Sequence, residues 1–227
     1  MSSQENLLDT IDSPKDIKVI PQRDLPRLAE DIRQRILLTL SEGGGHLASS
    51  LGAVELTIAL HCVFNTPSDQ IVWDVGHQSY AHKLLTGRRK SFSTLRRHGG
   101  LSGFPRRAES PYDAFDVGHG GTSISAALGL LEARNLLGGR HKVVAVIGDG
   151  STTSGLIFEG FNHGGELGKD LIVVLNDNEM SISRNVGAVR SYLSRRLTTP
   201  FYWKIRMKKR IMNFLEHFPL LGNPLLK

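Results

Sequence analysis

Hydrophobic positions recur with a helical period over Asp24–Leu40, where Leu28, Ile32, Ile36 and Leu40 fall on one face. Asp24 stands where an N-cap is wanted and Pro26 suits the first turn, so a helix capped by Asp24 is expected there. The polar, glycine-rich stretch Ser41–His46 breaks the pattern, and a second helix is expected over about Ser50–Phe64. From residue 71 the rhythm changes to short apolar runs. Ile71–Val75, Ala114–Val117, Lys142–Ile147 and Leu171–Leu175 read as strands. The first three enter glycine-rich turns and then helical segments. Two of those helices are expected over Thr122–Leu137 and Ser154–Leu167. Alternation of strand and helix predicts an α/β fold, a parallel sheet flanked by helices. The unbroken apolar runs VVAVI and LIVVL suit strands covered on both faces.

That topology directs attention to the turns. In an open parallel sheet the carboxyl ends of the strands share one edge, where ligands bind. Gly148-Asp149-Gly150 follows one predicted strand and Asn176-Asp177-Asn178 follows the next, twenty-five residues later. The βαβ unit between them should set Asp149 beside Asn178. A carboxylate and an amide oxygen are hard donors suited to Mg²⁺, which completes its shell with phosphate oxygens and water. The glycines allow a close backbone approach, and the following helix turns its N-terminus toward an anion. The pair therefore points to a Mg²⁺–diphosphate site. A Rossmann fingerprint would need glycine at position 153, which is Thr153, and there is no P-loop. His46, His77 and His119 each stand beside glycine at a predicted element end, placed to donate to a phosphate or move a proton near neutral pH. His61, His82, His98, His141, His163 and His217 read as structural or solvent-exposed. HExxH, GxSxG and Cys/His clusters are missing, which argues against zinc and serine-hydrolase chemistry.

Composition changes the picture in two places. The 227 residues carry a net charge of +6, yet Arg184–Lys227 holds ten Lys/Arg against one acid, leaving a main body of 18 basic and 21 acidic residues. The basicity is thus local. It reads as a solvated helix that packs Trp203, Ile205, Ile211 and Phe214 on protein, since no nucleic-acid module accompanies the charge. The chain is expected to divide into an α/β domain over residues 1–183 and a basic, helical tail over 184–227. Cys62 is the single cysteine, so no intrachain disulfide can form. No apolar run reaches the roughly 18 residues of a spanning helix. The acidic N-terminus has no apolar signal core, and a cytoplasmic location is expected.

The GDG…NDN pair resembles the diphosphate- and metal-binding signature of thiamine-diphosphate enzymes. LLDTIDSPKDIK, the segment from LGAVELTIALHCVF to YAHKLLTGRR, YDAFDVGHGGTSISAALG and NDNEMSISRNVGAV resemble, more narrowly, the 1-deoxy-D-xylulose-5-phosphate synthase family. TSIS and NDNEMSIS argue against a transketolase. The resemblance implies thiamine diphosphate and Mg²⁺ as cofactors, with Asp149, Asn178 and the Met180 carbonyl on the metal. It implies diphosphate contacts from Gly150 and Ser151, cofactor contacts from His77, Gly118, His119, Gly120 and Asn178, and His46 facing the substrate. The implied reaction condenses pyruvate with glyceraldehyde 3-phosphate, releasing CO₂. Two departures stand out. Gly120 and Gly121 replace hydroxyl residues usual in the family, and Ser151 replaces a small apolar one. The family's second and third domains, including a Glu that assists the cofactor, do not fit in the 49 residues after Asn178. The chain is therefore expected to work as a homodimer or with a complementary chain. The alternative is a non-enzymatic remnant that binds Mg²⁺–diphosphate.

Overall fold

A computed structural model describes residues 6–176. The remainder of the Asn176-Asp177-Asn178 motif, and with it Asn178 and Met180, lies outside the described residues. So do the basic tail and the expected division at 183/184.

Helices α1 (Pro14–Ile17), α2 (Leu25–Gly43), α3 (Leu47–Leu51) and α4 (Val54–Val63) precede strand β1 (Gln70–Trp73). The short α5 (Tyr80–Lys83) follows, then a long loop, α6 (Ser123–Leu136), β2 (Val143–Gly148), α7 (Gly155–Leu167) and β3 (Ile172–Asn176). The strands pair in the order β1-β2-β3, all parallel. Along β2 the pleat sends alternate residues to opposite faces. Val143, Ala145 and Ile147 pack with Leu128, Leu131 and Ile157 of α6 and α7, while Val144 and Val146 pack with Leu60, Ile71 and Trp73 on the other side. The continuous run VVAVI is thus apolar because both faces are covered. β3 is only partly buried. A third cluster joins α2, α4 and α5 through Leu28, Ile32, Ile36, Ile58 and Leu84, which is the apolar face read from the sequence.

Four expectations need correction. Ala114–Val117 is not a strand. Its neighbourhood is held by carboxylates instead of a ladder: the Arg107 amide donates to Asp116 and the Arg106 amide to Asp113. β1 stops at Trp73, two residues early, because Val75 and Gly76 adopt left-handed backbone at φ 58° and 84°. Asp24 does not cap α2 with its side chain: it closes a 3₁₀ turn (Gln22–Asp24) and has helical dihedrals, whereas a capping residue is extended. The single helix expected over Ser50–Phe64 is two, α3 and α4. Gly52 and Ala53 interrupt it, and the Ser50 hydroxyl, donating to the His77 carbonyl at 3.0 Å, pins α3 to the turn after β1.

Candidate functional site

Three strand ends meet at one edge. β1 runs into Asp74-Val75-Gly76-His77, β2 into a 3₁₀ turn over Asp149–Thr153, and β3 ends at Asn176, whose register partner on β2 is Gly148. The first residue of the second motif therefore stands beside the first residue of the GDG turn. The turn after β1 is tightly constrained. A Cβ on Gly76 would lie 2.5 Å from Pro105 Cδ and 2.6 Å from Val117 Cγ2, so only glycine fits at that φ. Val75 is β-branched and left-handed, a conformation that costs about 1–3 kcal/mol and persists only where the surroundings over-determine it.

Asp74 organises this edge. Its buried carboxylate accepts the Gly121 amide on both oxygens at 3.0 Å, the Ser123 amide at 3.1 Å and the Ser151 hydroxyl at 2.5 Å. One side chain after β1 thus gathers the glycine-rich loop before α6 and the GDG turn after β2. Gly121 is at φ 86°, and a Cβ there would meet Ser154 Oγ at 2.3 Å, which brings that loop against the start of α7. In contrast, a Cβ on Gly118 or Gly148 would meet nothing within 4 Å. These two glycines border open space.

Two of the three histidines come together. The His46 and His77 rings lie edge to face with centroids 5.5 Å apart, and Phe104 lies 5.8 Å from His46. Both Nδ1 atoms are buried and have no hydrogen-bond partner. Burial, and then the nearby Arg96 guanidinium, hold the His46 imidazole below its ordinary value. Burial and the neighbouring His46 do the same for His77, against the pull of Asp74. Near neutral pH both rings are therefore neutral, able to hold or release one proton. The His46 amide donates to the Tyr80 hydroxyl at 3.4 Å. His119 is apart from this pair: it is exposed, as are Gly118 and Gly120, and its carbonyl accepts the Thr122 hydroxyl. Asp149 is 6% exposed at the head of its turn, with Gly150 and Ser151 partly buried after it. Among the described residues no three His, Cys, Asp or Glu side chains are grouped to hold a metal ion.

Reading the sequence missed two things. Asp74 lies in WDVGHQ at a strand end, so the edge rule alone could have singled it out. The other is a fully buried chain behind the site, in which Thr66 Oγ1 meets His61 Nδ1 at 3.1 Å, His61 Nε2 meets His82 Nδ1 at 3.0 Å and His82 Nε2 meets Asp113 at 3.0 Å. Arg88 clasps the same carboxylate with two bonds of 2.6 and 2.8 Å. No spacing in the sequence announces it.

Fold and geometry define an α/β protein whose parallel sheet gathers glycine-rich turns around a buried carboxylate at its strand ends. The family model described as 1-deoxy-D-xylulose-5-phosphate synthase matches residues 8–226. The chain is 59% identical over 221 residues to 1-deoxy-D-xylulose-5-phosphate synthase 1 of Geobacter metallireducens, covering 97% of this chain and 35% of that protein. It is 64% identical over 197 residues to the synthase of Desulfotalea psychrophila, covering 87% of this chain and 30% of the relative, and 59% identical to that of Syntrophotalea carbinolica over 98% of this chain and 35% of the relative. The chain belongs to the 1-deoxy-D-xylulose-5-phosphate synthase family. It spans about a third of the length of these curated relatives.

Proposed function

We propose that this chain forms the diphosphate-binding part of a thiamine-diphosphate-dependent synthase that joins pyruvate to glyceraldehyde 3-phosphate with loss of CO₂. The product would be 1-deoxy-D-xylulose 5-phosphate, an isoprenoid and thiamine precursor. A polypeptide covering the rest of the relatives' length would complete the catalytic unit, which we expect to assemble as a dimer. The observation that carries this reading is the convergence of the β1 turn, the loop before α6 and the GDG turn on the Asp74 carboxylate, with Asn176 in register beside Gly148.

The residues fit the group. The open space at Gly148 and Gly118 leaves room for a phosphate and a ring close to the backbone. Asp149 offers a hard oxygen donor at the strand end, and Asn178 with the Met180 carbonyl would complete the protein's share of an octahedral Mg²⁺ shell. Gly150 and Ser151 would face the diphosphate, and Gly118, His119 and Gly120 the organic part of the cofactor. When bound, the thiazolium ring supplies the nucleophilic carbon and the electron sink. The chain's own side chains then hold protons and exclude water. The unpartnered Nδ1 atoms of His46 and His77 are the groups that would accept or donate at the reacting face, His77 toward the cofactor and His46 toward the substrate. Phe104 shields His46 from the loop side.

Calorimetric titration of the full chain with thiamine diphosphate and Mg²⁺ tests this. Saturable heat is expected that requires the metal, and Asp149→Ala, measured below its melting temperature, should remove the metal dependence. Equal heat in both proteins would refute the metal ligand, and no heat in the unmutated protein would refute the binding site. Turnover is expected only when a polypeptide covering the rest of the relatives' length is added.

A further inference from the structure

The diphosphate edge has no ladder of its own to hold its loops, because the Gly118–Ser123 segment pairs with no strand. Something else must fix it. Asp74 is 0% exposed, directly follows β1 rather than lying in either loop, and accepts the Gly121 amide before α6 and the Ser123 amide that opens it. Ser123 opens α6, so Asp74 caps that helix from a different element, and its charge meets the positive end of the helix dipole. The Thr122 side chain, at the formal cap, makes no capping bond. The same carboxylate takes the single proton of the Ser151 hydroxyl.

We propose, resting on the diphosphate reading above, that Asp74 is the positioning residue of the cofactor edge. It caps α6 across the sheet, locks the Gly118–Ser123 loop in place, and turns the Ser151 hydroxyl away from the diphosphate so that residue 151 offers its backbone amide instead. Two consequences distinguish this from simple packing. The N-terminus of α6, which would otherwise attract an anion, is already neutralised, so the diphosphate is confined to the Gly148–Ser151 side. And the hydroxyl of Ser151, its single O–H already donated in a hydrogen bond to Asp74, can only accept and cannot donate to a phosphate.

The experiment compares the full chain with Asp74→Ala, Asp74→Asn and Ser151→Ala by amide hydrogen exchange without ligand and by calorimetry with Mg²⁺ and thiamine diphosphate below the melting temperature. A bond from an amide to a charged acceptor is worth about a ten- to hundredfold change in an equilibrium. Asp74→Ala should therefore speed exchange at Gly121 and Ser123 by about that factor while Val144–Val146 stay protected, and should weaken cofactor binding about tenfold or more. Asp74→Asn, which keeps one oxygen for the two amides, should restore most of the protection. Ser151→Ala removes only the hydroxyl that Asp74 accepts and should leave Gly121 and Ser123 protected. Unchanged exchange at Gly121 and Ser123 in Asp74→Ala would overturn the proposal. So would altered exchange with an unaltered Kd, or a loss of protection at Gly121 and Ser123 in Ser151→Ala as large as in Asp74→Ala. If the unmutated chain gives no heat, the thiamine-diphosphate reading fails, and with it the role for the cofactor, while the exchange result still decides whether Asp74 holds the loop.

Discussion

Acid should unfold this domain through the buried His61–His82 pair. Its hydrogen bonds fix the tautomers. Asp113 is an acceptor held well below the usual carboxylate range, against burial, by His82 and the Arg88 guanidinium, so His82 must carry its proton on Nε2. Its Nδ1 then accepts from His61 Nε2–H, and His61 Nδ1 accepts from the Thr66 hydroxyl. Each ring holds one proton, and the chain runs in one direction from Thr66 to Asp113. A second proton on His82 would set two N–H groups against each other at 3.0 Å. Burial first, and then the charges of Arg88 with Lys83 or Lys18, oppose protonation of both rings, although Asp113 attracts it on His82. Both are therefore neutral in the folded state and held below the ordinary value. The unfolded chain binds protons that the folded chain refuses, so stability is full above about pH 6.5 and falls as pH drops below it. If both rings stay neutral, each forfeits about 2 kcal/mol by pH 5, roughly 4 kcal/mol for the pair, against a typical total of about 5–15 kcal/mol. Urea unfolding at pH 7 and pH 5 measures the loss, and ring ¹⁵N shifts assign it, because His46 and His77 are also held low and add to the slope. Ring shifts showing either His61 or His82 titrating between pH 6 and 7 in the folded protein would refute the tautomer chain, as would equal urea midpoints at the two pH values.

Other perturbations test other parts of the frame. Leu131→Ala removes a fully buried side chain between α6 and the sheet and should lower unfolding free energy by about 2–5 kcal/mol in urea titrations. Asp113→Ala strips Arg88 of its bidentate partner in a buried setting, leaving Glu109 at 3.6 Å as the remaining counter-charge, and should cost about 3–5 kcal/mol by the same measurement. Gly76→Ala forces a Cβ onto Pro105 and Val117 at a left-handed φ; a loss of about 1–3 kcal/mol is expected from the backbone alone, and calorimetry should show weaker cofactor binding because His77 is the next residue.

What could be read along the chain was whatever has a period. VVAVI, the helix before SEGGGH and the strand-then-glycine alternation describe local chemistry that packing repeats, and the structure follows them to within a residue or two at β2, β3, α6 and α7. The meeting of the turns after β1 and β2 with the end of β3 was legible for the same reason, since the carboxyl ends of parallel strands are fixed once the strands are. The misses are non-local. Asp24 resembled a cap because the rule considers the residue and not its dihedrals. Ala114–Val117 resembled a strand by composition, yet its apolar residues pack on the cluster around Val72 without joining the ladder, and carboxylates take the nearby amides. His61 looked like an ordinary histidine on an apolar helix, and its partner His82 is 21 positions away, with Asp113 a further 31 beyond that, separations that no motif spans. The second half of the metal motif, Asn178 with Met180, lies outside the described residues.

These misses share a cause that bears on the site. The long loop between α5 and α6 lacks a sheet partner, and buried or half-buried backbone amides must still be satisfied. Carboxylates take that role: Glu109 accepts the Ser102 amide, Asp113 that of Arg106, Asp116 that of Arg107, and Asp74 those of Gly121 and Ser123. Two of these acids are themselves anchored by buried cations, Glu109 by Lys83 at 2.6 Å and Asp113 by Arg88, both cations lying just after the β1 turn. The loop that presses Pro105 and Val117 against Gly76, and sets Phe104 by His46, is thus fastened at one end to Lys83 and Arg88 and at the other to Asp74, the residue after β1. An ordinary ladder would fix backbone positions but leave the edge flat. Fastening by charge lets the chain fold over the strand ends and enclose the two neutral histidines. It also makes the enclosure depend on protonation: acid that reaches the His82–Asp113 link acts on the same loop that shapes the ligand edge.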